Sequence, residues 1–538
     1  MATVDLLRNR NFLLVEDFEA MRSVLKGLLL RCGAQRVDTA ASAKDAVNLL
    51  RKTSYDVVLC DYNLGPGKNG QLLLEEARHS EWIGPAAVWI MITAEKTNDM
   101  VSVAAEEAPD EYLLKPITES MLQTRLQKLV ERKTSLAGIS GAMKVRDWRR
   151  ALQLCGEQLA AGTKNAAEVL RLQADLYQRL NEWPKAQAVY EAVLQRGAIP
   201  WAKLGLAKVH MQMKNPAAAR LLLQETVRDH PQFMEAYDCL AQLLAAQGLH
   251  DQRLAVLDRA VQVSPSSAAR QAALGTAALK QGQLDLAATA FKRSMKLAEH
   301  SSIENLDPFL GMAKIHSEAG APAEAQKVLA DLRKRYDSHQ AQMLAMSEEV
   351  RALNAAGDTA GAKRTATELS ALAQNEAAPL SAESALRMAE TLMESGQSGD
   401  ATQLLQFVTR NNHDDELLVR RAQQVFDRAG MGEAGIELLA AARRQATDSM
   451  TEGVRLMSKG DLPAALDSMR AAKASMPQNA RVLLNFAVIA ITLIEKLGWN
   501  AKLDNEARLA ITTAQRLRPE DTRGVDLLDR LSKHSPLM

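Results

Sequence analysis

The stretch LLVEDFEAMR, residues 13–22, runs an apolar strand into two adjacent carboxylates, Glu16 and Asp17, and then directly into a helical pattern. Short continuous apolar runs of this kind are the signature of buried parallel strands. Three more follow: YDVVLCDYN (55–63), which reaches Asp61, AAVWIMITAE (86–95), which reaches Thr93, and EYLLKP (111–116), which reaches Lys115. A further strand, RVDTAA (36–41), stands between the first two, and helical segments separate all of them: 21–33, 43–53, 71–80, 99–108 and 118–133. Residues 11–130 therefore read as five βα units. Strict alternation with short connections implies a doubly wound parallel sheet with helices on both faces, and ligand chemistry at the carboxyl ends of its strands. Glu16, Asp17, Asp61, Thr93 and Lys115 all fall at such ends.

Three carboxylates converging in one pocket repel one another unless a hard cation sits among them, and Mg²⁺ prefers oxygen ligands. Such a cation beside Asp61 would also neutralise an incoming phosphoryl group, whose remaining oxygens the Lys115 ammonium and the Thr93 hydroxyl are placed to hold. Asp61 then reads as a nucleophile that forms an acyl phosphate.

On these residues the domain resembles the CheY-like receiver domain of bacterial two-component response regulators, which has a flavodoxin-like fold. The acid pair, the strand-end Asp, the strand-end Thr followed by the small Ala94, and Lys115-Pro116 carry the resemblance. It implies that Asp61 is the phosphoacceptor, that Glu16, Asp17 and Asp61 bind Mg²⁺ together with the main-chain carbonyl of Asn63, and that Thr93 and Lys115 sense the phosphoryl group. Tyr112 matches the switch aromatic, and Asn63 and Glu95 stand where the family tunes phosphoryl loss. It also implies a histidine kinase or phosphotransfer protein as phosphodonor, and no enzymatic activity beyond self-catalysed phosphorylation of Asp61 and its hydrolysis. Two departures are visible: DYNLGPGKNG (61–70) is one residue longer than the usual loop before Gly70, and Ile117 stands where Phe often follows the Lys-Pro.

From about residue 140 the strand signal gives way to helical periodicity. Gly248, Gly282, Gly320, Gly357, Gly396, Gly430 and Gly460 recur at intervals of 34, 38, 37, 39, 34 and 30, a period that means stacked helix pairs. Five residues after most of them comes a small residue, with a larger apolar one four further on: Ala287/Phe291, Ala325/Leu329, Ala401/Leu405 and Ala465/Met469, with Ala186/Tyr190 and Ala219/Leu223 upstream. The Gly ends one helix, and the small residue lets the next approach closely. Pro231, Pro265, Pro477 and Pro519 fall near the ends of second helices, where Pro stops a helix. The pattern resembles the tetratricopeptide repeat, which implies an all-α solenoid of nine or ten helix pairs, with residues 479–518 as an enlarged last pair and a groove for a protein partner.

With 66 basic and 65 acidic residues the net charge is +1, and without a basic block no nucleic-acid binding is expected. No N-terminal apolar leader and no uninterrupted apolar span points to secretion or membrane insertion, so a cytoplasmic protein is expected. Cys32, Cys60, Cys155 and Cys239 form no CxxC pair and read as buried free thiols. The expected organisation is a receiver over residues 1–133, a linker with a Gly/Ser hinge over 134–142, and the repeat array over 143–538. Its expected function is a response regulator with a protein-binding output, with a phosphorylation-dependent homodimer among its expected partners. The alternative is a constitutive scaffold whose receiver serves docking or dimerisation.

Overall fold

A computed structural model of the chain describes residues 5–84, 87–94, 109–373, 381–518, 521 and 523–534. Five strands, β1 (Asn11–Val15), β2 (Arg36–Ala40), β3 (Val57–Asp61), β4 (Val88–Thr93) and β5 (Glu111–Leu114), form one parallel sheet in the order β2-β1-β3-β4-β5. Every residue of β3 and β4 is buried, as their unbroken apolar runs require, whereas the edge strand β2 buries only Val37 and Ala40. Successive side chains leave opposite faces of a strand. Phe12 and Leu14 accordingly join Leu25, Leu29, Leu122 and Leu126 on one face, while Leu13 and Val15 join Ala46, Leu73, Trp89 and Met91 on the other. This is the flavodoxin-like arrangement, and the strand order reverses beside β1, opening a crevice at the carboxyl ends of β1 and β3. The helix expected over 99–108 lies outside the described residues, as do Glu95 and Pro519.

The chain forms two compact units, Met1–Pro308 and Phe309–Met538. In the first, the helix Glu119–Ser135 is followed after a single turn residue, Leu136, by the helix Ala137–Lys144. The hinge expected within 134–142 is therefore helical. Leu136 and Ile139 are buried against Ala151, Cys155 and Val169, and that burial outweighs the cost of about 1 kcal/mol that each Gly adds to a helix interior.

Beyond it the elements of the described residues are all helices in both units, in consecutive pairs. All seven phased glycines have positive φ, from 70° to 84°. The same left-handed station extends upstream through residues that are not Gly: Arg146, Asn181 and Lys214, at φ 59°, 57° and 58°. The small residues five positions later, Ala151, Ala186, Ala219, Ala287, Ala325, Ala401 and Ala465, are fully buried. Pro231, Pro265 and Pro477 each stand just past a helix, after Pro216–Asp229, His250–Val263 and Leu462–Ser475. The short interval between Gly430 and Gly460 has a structural cause: the second helix of one pair and the first of the next are fused into the 27-residue helix Gly432–Ser458. Counting that helix twice, the described residues form eleven pairs, one beyond the expected upper number. The enlarged last pair is Ala480–Leu497 and Ala501–Leu517, followed by Arg523–Ser532. All four cysteines are free and buried. Among the described residues no helix is long and apolar enough to cross a membrane.

Candidate functional site

The sheet register places Val15 beside Cys60, Asp61 beside Ile92 and Thr93 beside Leu114, so Glu16, Asp61, Thr93 and Lys115 leave neighbouring strands at one level. Oxygen atoms of Glu16, Asp17 and Asp61 lie within 4.8 Å of one another. Glu16, Asp61 and Thr93 are buried and Asp17 is exposed, which leaves the cluster open on one side. Lys115 Nζ donates to Asp61 Oδ2 at 2.7 Å and to Glu16 Oε2 at 3.0 Å. Its amide donates to the Thr93 carbonyl at 2.8 Å, and that bond carries the strand pairing to the edge of the pocket.

Burial, reinforced by the Asp61 charge, raises the pKa of Glu16 against the opposing pull of Lys115. Burial also works against the Lys115 ammonium, but its hydrogen bonds and charge contacts with Asp61 and Glu16 outweigh it and raise its pKa. Cys60, behind the pocket, is pushed well above the ordinary thiol range by complete burial and then by the two carboxylates; its neighbourhood is that of an inert thiol. An all-oxygen set of three carboxylates suits a hard divalent cation such as Mg²⁺.

Two further residues shape the pocket: Arg22, passed over in the sequence, and Gly70, marked there only as the end of the loop after Asp61. Arg22 Nη1 donates to the carbonyls of Glu16 at 2.7 Å and Asp17 at 3.2 Å, holding the acid pair against the helix Glu19–Arg31. A cation one turn inside a helix N-terminus, where the dipole disfavours it, was the available signal. Gly70 opens the helix Gly70–His79, and a Cβ there would lie 2.3 Å from the Asp61 carbonyl oxygen and 3.0 Å from Cys60 Sγ. Asn63 is exposed in the loop between them, and Gly65 takes φ +77° with its α-carbon turned toward Asp17. Tyr112 is half-buried beside the cluster of Trp89 and Met91. Burial first, then the neighbouring Tyr62, pushes its hydroxyl up to about 12.

The opposite, amino-terminal end of the sheet meets the helix pairs. Asp110 accepts from the Trp89 amide at 2.9 Å and pairs with Arg132 at 3.2 Å and Lys133 at 3.0 Å. Arg132 Nε stands 3.6 Å from Glu168, while Gln158 and Asn165 donate to the carbonyl and hydroxyl of Ser135 at 2.6 and 2.7 Å. Near the pocket end, Lys68 pairs with Glu76 and donates to Ser302 Oγ at 2.9 Å.

Residues 12–127 match the family model of the response regulator receiver domain. Chemotaxis protein CheY-3 of Vibrio cholerae is 35% identical over 125 residues, covering 23% of this chain and 95% of that protein. Chemotaxis protein CheY of Pseudomonas aeruginosa is 32% identical over 120 residues, covering 22% and 95%. The solved CheY-like receiver domain from Methylobacillus flagellatus is 30% identical, with a TM-score of 0.21, covering 22% of this chain and 98% of that one. Through this first quarter the chain belongs to the response regulator receiver family.

Proposed function

We propose that this response regulator accepts a phosphoryl group on Asp61 and transmits that event to a protein-binding array of tetratricopeptide-like helix pairs. The observation that carries the reading is the convergence of the Glu16, Asp17 and Asp61 oxygens within 4.8 Å, with Lys115 already 2.7 Å from Asp61.

In the reaction, an Asp61 carboxylate oxygen attacks the phosphorus of a histidine kinase, a phosphotransfer protein or a small phosphodonor. The donor's bond to phosphorus breaks and its electron pair leaves with the donor. An acyl phosphate results, and water later cleaves it to regenerate the carboxylate. Glu16, Asp17, Asp61 and the main-chain carbonyl of Asn63 would hold Mg²⁺, which would supply charge neutralisation for the transferring oxygens. Lys115 exchanges its contact with the Asp61 carboxylate for one with a phosphoryl oxygen, and the Thr93 hydroxyl donates to another. Tyr112, beside the same strand end, is the aromatic whose packing answers the movement of Thr93.

On this reading residues 1–133 are the receiver and 143–538 the output, in a cytoplasmic protein without DNA-binding activity. The junction over 134–142 supports transmission, since the helix that begins beside Lys115 continues to Ser135 and is hydrogen-bonded there to Gln158 and Asn165. Intact-mass measurement after incubation with acetyl phosphate and Mg²⁺ tests the proposal. The wild type should gain one phosphoryl group and Asp61→Asn none. A wild type that gains no mass and binds no beryllofluoride in the presence of Mg²⁺ would leave the receiver as a docking or dimerising module of a constitutive scaffold.

A further inference from the structure

A cavity of about 680 Å³ opens between the receiver's last helix and the first helices of three successive pairs. Arg132 reaches it from Glu119–Ser135, Tyr190 from Trp183–Leu194, and the other walls come from Ala166–Arg179, Pro200–Gln212 and Met234–Ala246. The lining follows one helical face. Glu168, Trp201 and Glu235 each stand 13 residues before a left-handed station, at Asn181, Lys214 and Gly248, and Arg171 and Leu204 stand 10 before. Residues three, four and seven apart share a side of a helix, so the repeat builds one continuous inner surface from three helices. Its volume suits a few residues of a peptide and is too small for a folded domain.

The charges on this surface are unequally satisfied. Glu168 is paired with Arg132 at 3.6 Å, and Asp175 with Arg179 at 3.3 Å. Among the described residues, Arg171 and Lys208 line the cavity with no anionic partner, against the single unpaired carboxylate of Glu235. Glu235 lies seven residues nearer its helix N-terminus than the level of Lys208, about 10 Å along the axis, and does not neutralise it. Between the cations the floor is apolar: Leu172, Leu204 and the edge of Trp201, whose ring meets Tyr190 at 6.1 Å in a T-shaped contact. Gly205 leaves room for that tyrosine, because a Cβ there would lie 2.2 Å from its ring.

We infer that this cavity docks an acidic segment of a partner protein, in which carboxylates alternating with apolar side chains meet Arg171 and Lys208 on one hand and Leu172, Leu204 and Trp201 on the other. The inference rests on the array being a protein-binding output and assigns that role to its receiver-proximal end. Arg132 gives the site its link to the receiver: one guanidinium contacts Asp110 of the receiver and Glu168 of the cavity wall. An occupant therefore borders a receiver side chain directly.

The test uses the full chain and two fluorescein-labelled peptides of equal length, one alternating glutamate with leucine and the other lysine with leucine, followed by fluorescence anisotropy. The acidic probe should bind and the basic probe should not, and rising salt should weaken the complex. Arg171→Gln/Lys208→Gln should weaken it about tenfold or more, and Trp201→Ala should also weaken it. Arg171 and Lys208 are exposed, so the double variant should melt like the wild type. Equal binding of the basic probe, or acidic-probe binding unchanged in the double variant, overturns the inference. Intact mass on the same samples keeps the two readings apart: phosphorylation of Asp61 without acidic-probe binding removes only the docking site.

Discussion

The ammonium of Lys115 lies 2.7 Å from Oδ2 of Asp61, so the proposed phosphoacceptor carries its counter-ion before any phosphoryl group arrives. The same ammonium is 3.0 Å from Glu16. One cation thus holds two buried carboxylates together, and a second cation held by the same oxygens would relieve their repulsion in the same way.

Lys115→Met removes that counter-ion and leaves Glu16 and Asp61 facing each other. The variant should lose about 2 kcal/mol of stability without divalent cations. Adding Mg²⁺ should raise its melting temperature by more than it raises that of the wild type. Equal Mg²⁺ shifts in the two proteins would show that the carboxylates do not share a cation.

Gly70→Ala forces a methyl group to 2.3 Å from the Asp61 carbonyl, an atom of the backbone that cannot rotate away. We expect a loss of about 1 to 3 kcal/mol, together with slower phosphorylation from a small donor. Thermal melts and the rate of mass gain check the two effects. A variant that melts and reacts like the wild type would mean that the loop absorbs the methyl group.

The left-handed stations give a pair of opposite predictions. Gly282 has φ 70° and open space around its α-carbon, so Gly282→Ala should cost about 1 kcal/mol through backbone conformation alone. Lys214 occupies the equivalent station at φ 58°, and Lys214→Gly should stabilise by up to about 1 kcal/mol. Denaturant melts that move in the same direction for both would refute the shared station.

Ala287 is fully buried and Phe291, one turn later, would lie 2.5 Å from a Cβ on Gly275. Ala287→Leu and Gly275→Ala should each destabilise their helix pair by about 1 to 3 kcal/mol. Hydrogen exchange should localise the loss to Ala268–Lys280 and Leu284–Leu297. Uniform exchange throughout the chain would argue against that contact.

Burial pushes the hydroxyls of Tyr55, Tyr112 and Tyr190 up to about 12. A raised folded-state pKa contributes stability that is complete below the unfolded value near 10 and is lost as pH rises through 12. An alkaline absorbance titration should therefore show tyrosines that remain neutral at pH 10 and ionise together with loss of structure above it. Ionisation of every tyrosine near pH 10 in a folded chain would contradict this burial.

Where regularities are local, they were legible without coordinates. An apolar run ending in acid, Thr or Lys specifies a parallel strand with its functional residue at the carboxyl end, and once four such strands share a sheet, Glu16, Asp61, Thr93 and Lys115 have to converge. Gly248 and its successors announced the helix-pair period because a left-handed residue strongly favours Gly. Arg146, Asn181 and Lys214 hid the same station, since these exposed residues adopt the left-handed conformation without the Gly that would have marked it.

Other features depend on contacts between residues far apart in the chain. Nothing near Gly70 indicates that Asp61 will press against it, nothing near Ser135 indicates that Gln158 and Asn165 will bond to it, and nothing near Leu136 and Ile139 indicates that Ala151 and Cys155 will bury them and turn an expected hinge into helix. The sequence alone determined the strand-end chemistry and the helical period, because both follow from backbone preferences acting within a few residues. The tertiary structure alone decided which carboxylates Lys115 neutralises and that Arg132 joins the receiver to the array, because burial and charge pairing take their free energy from neighbours that only folding supplies.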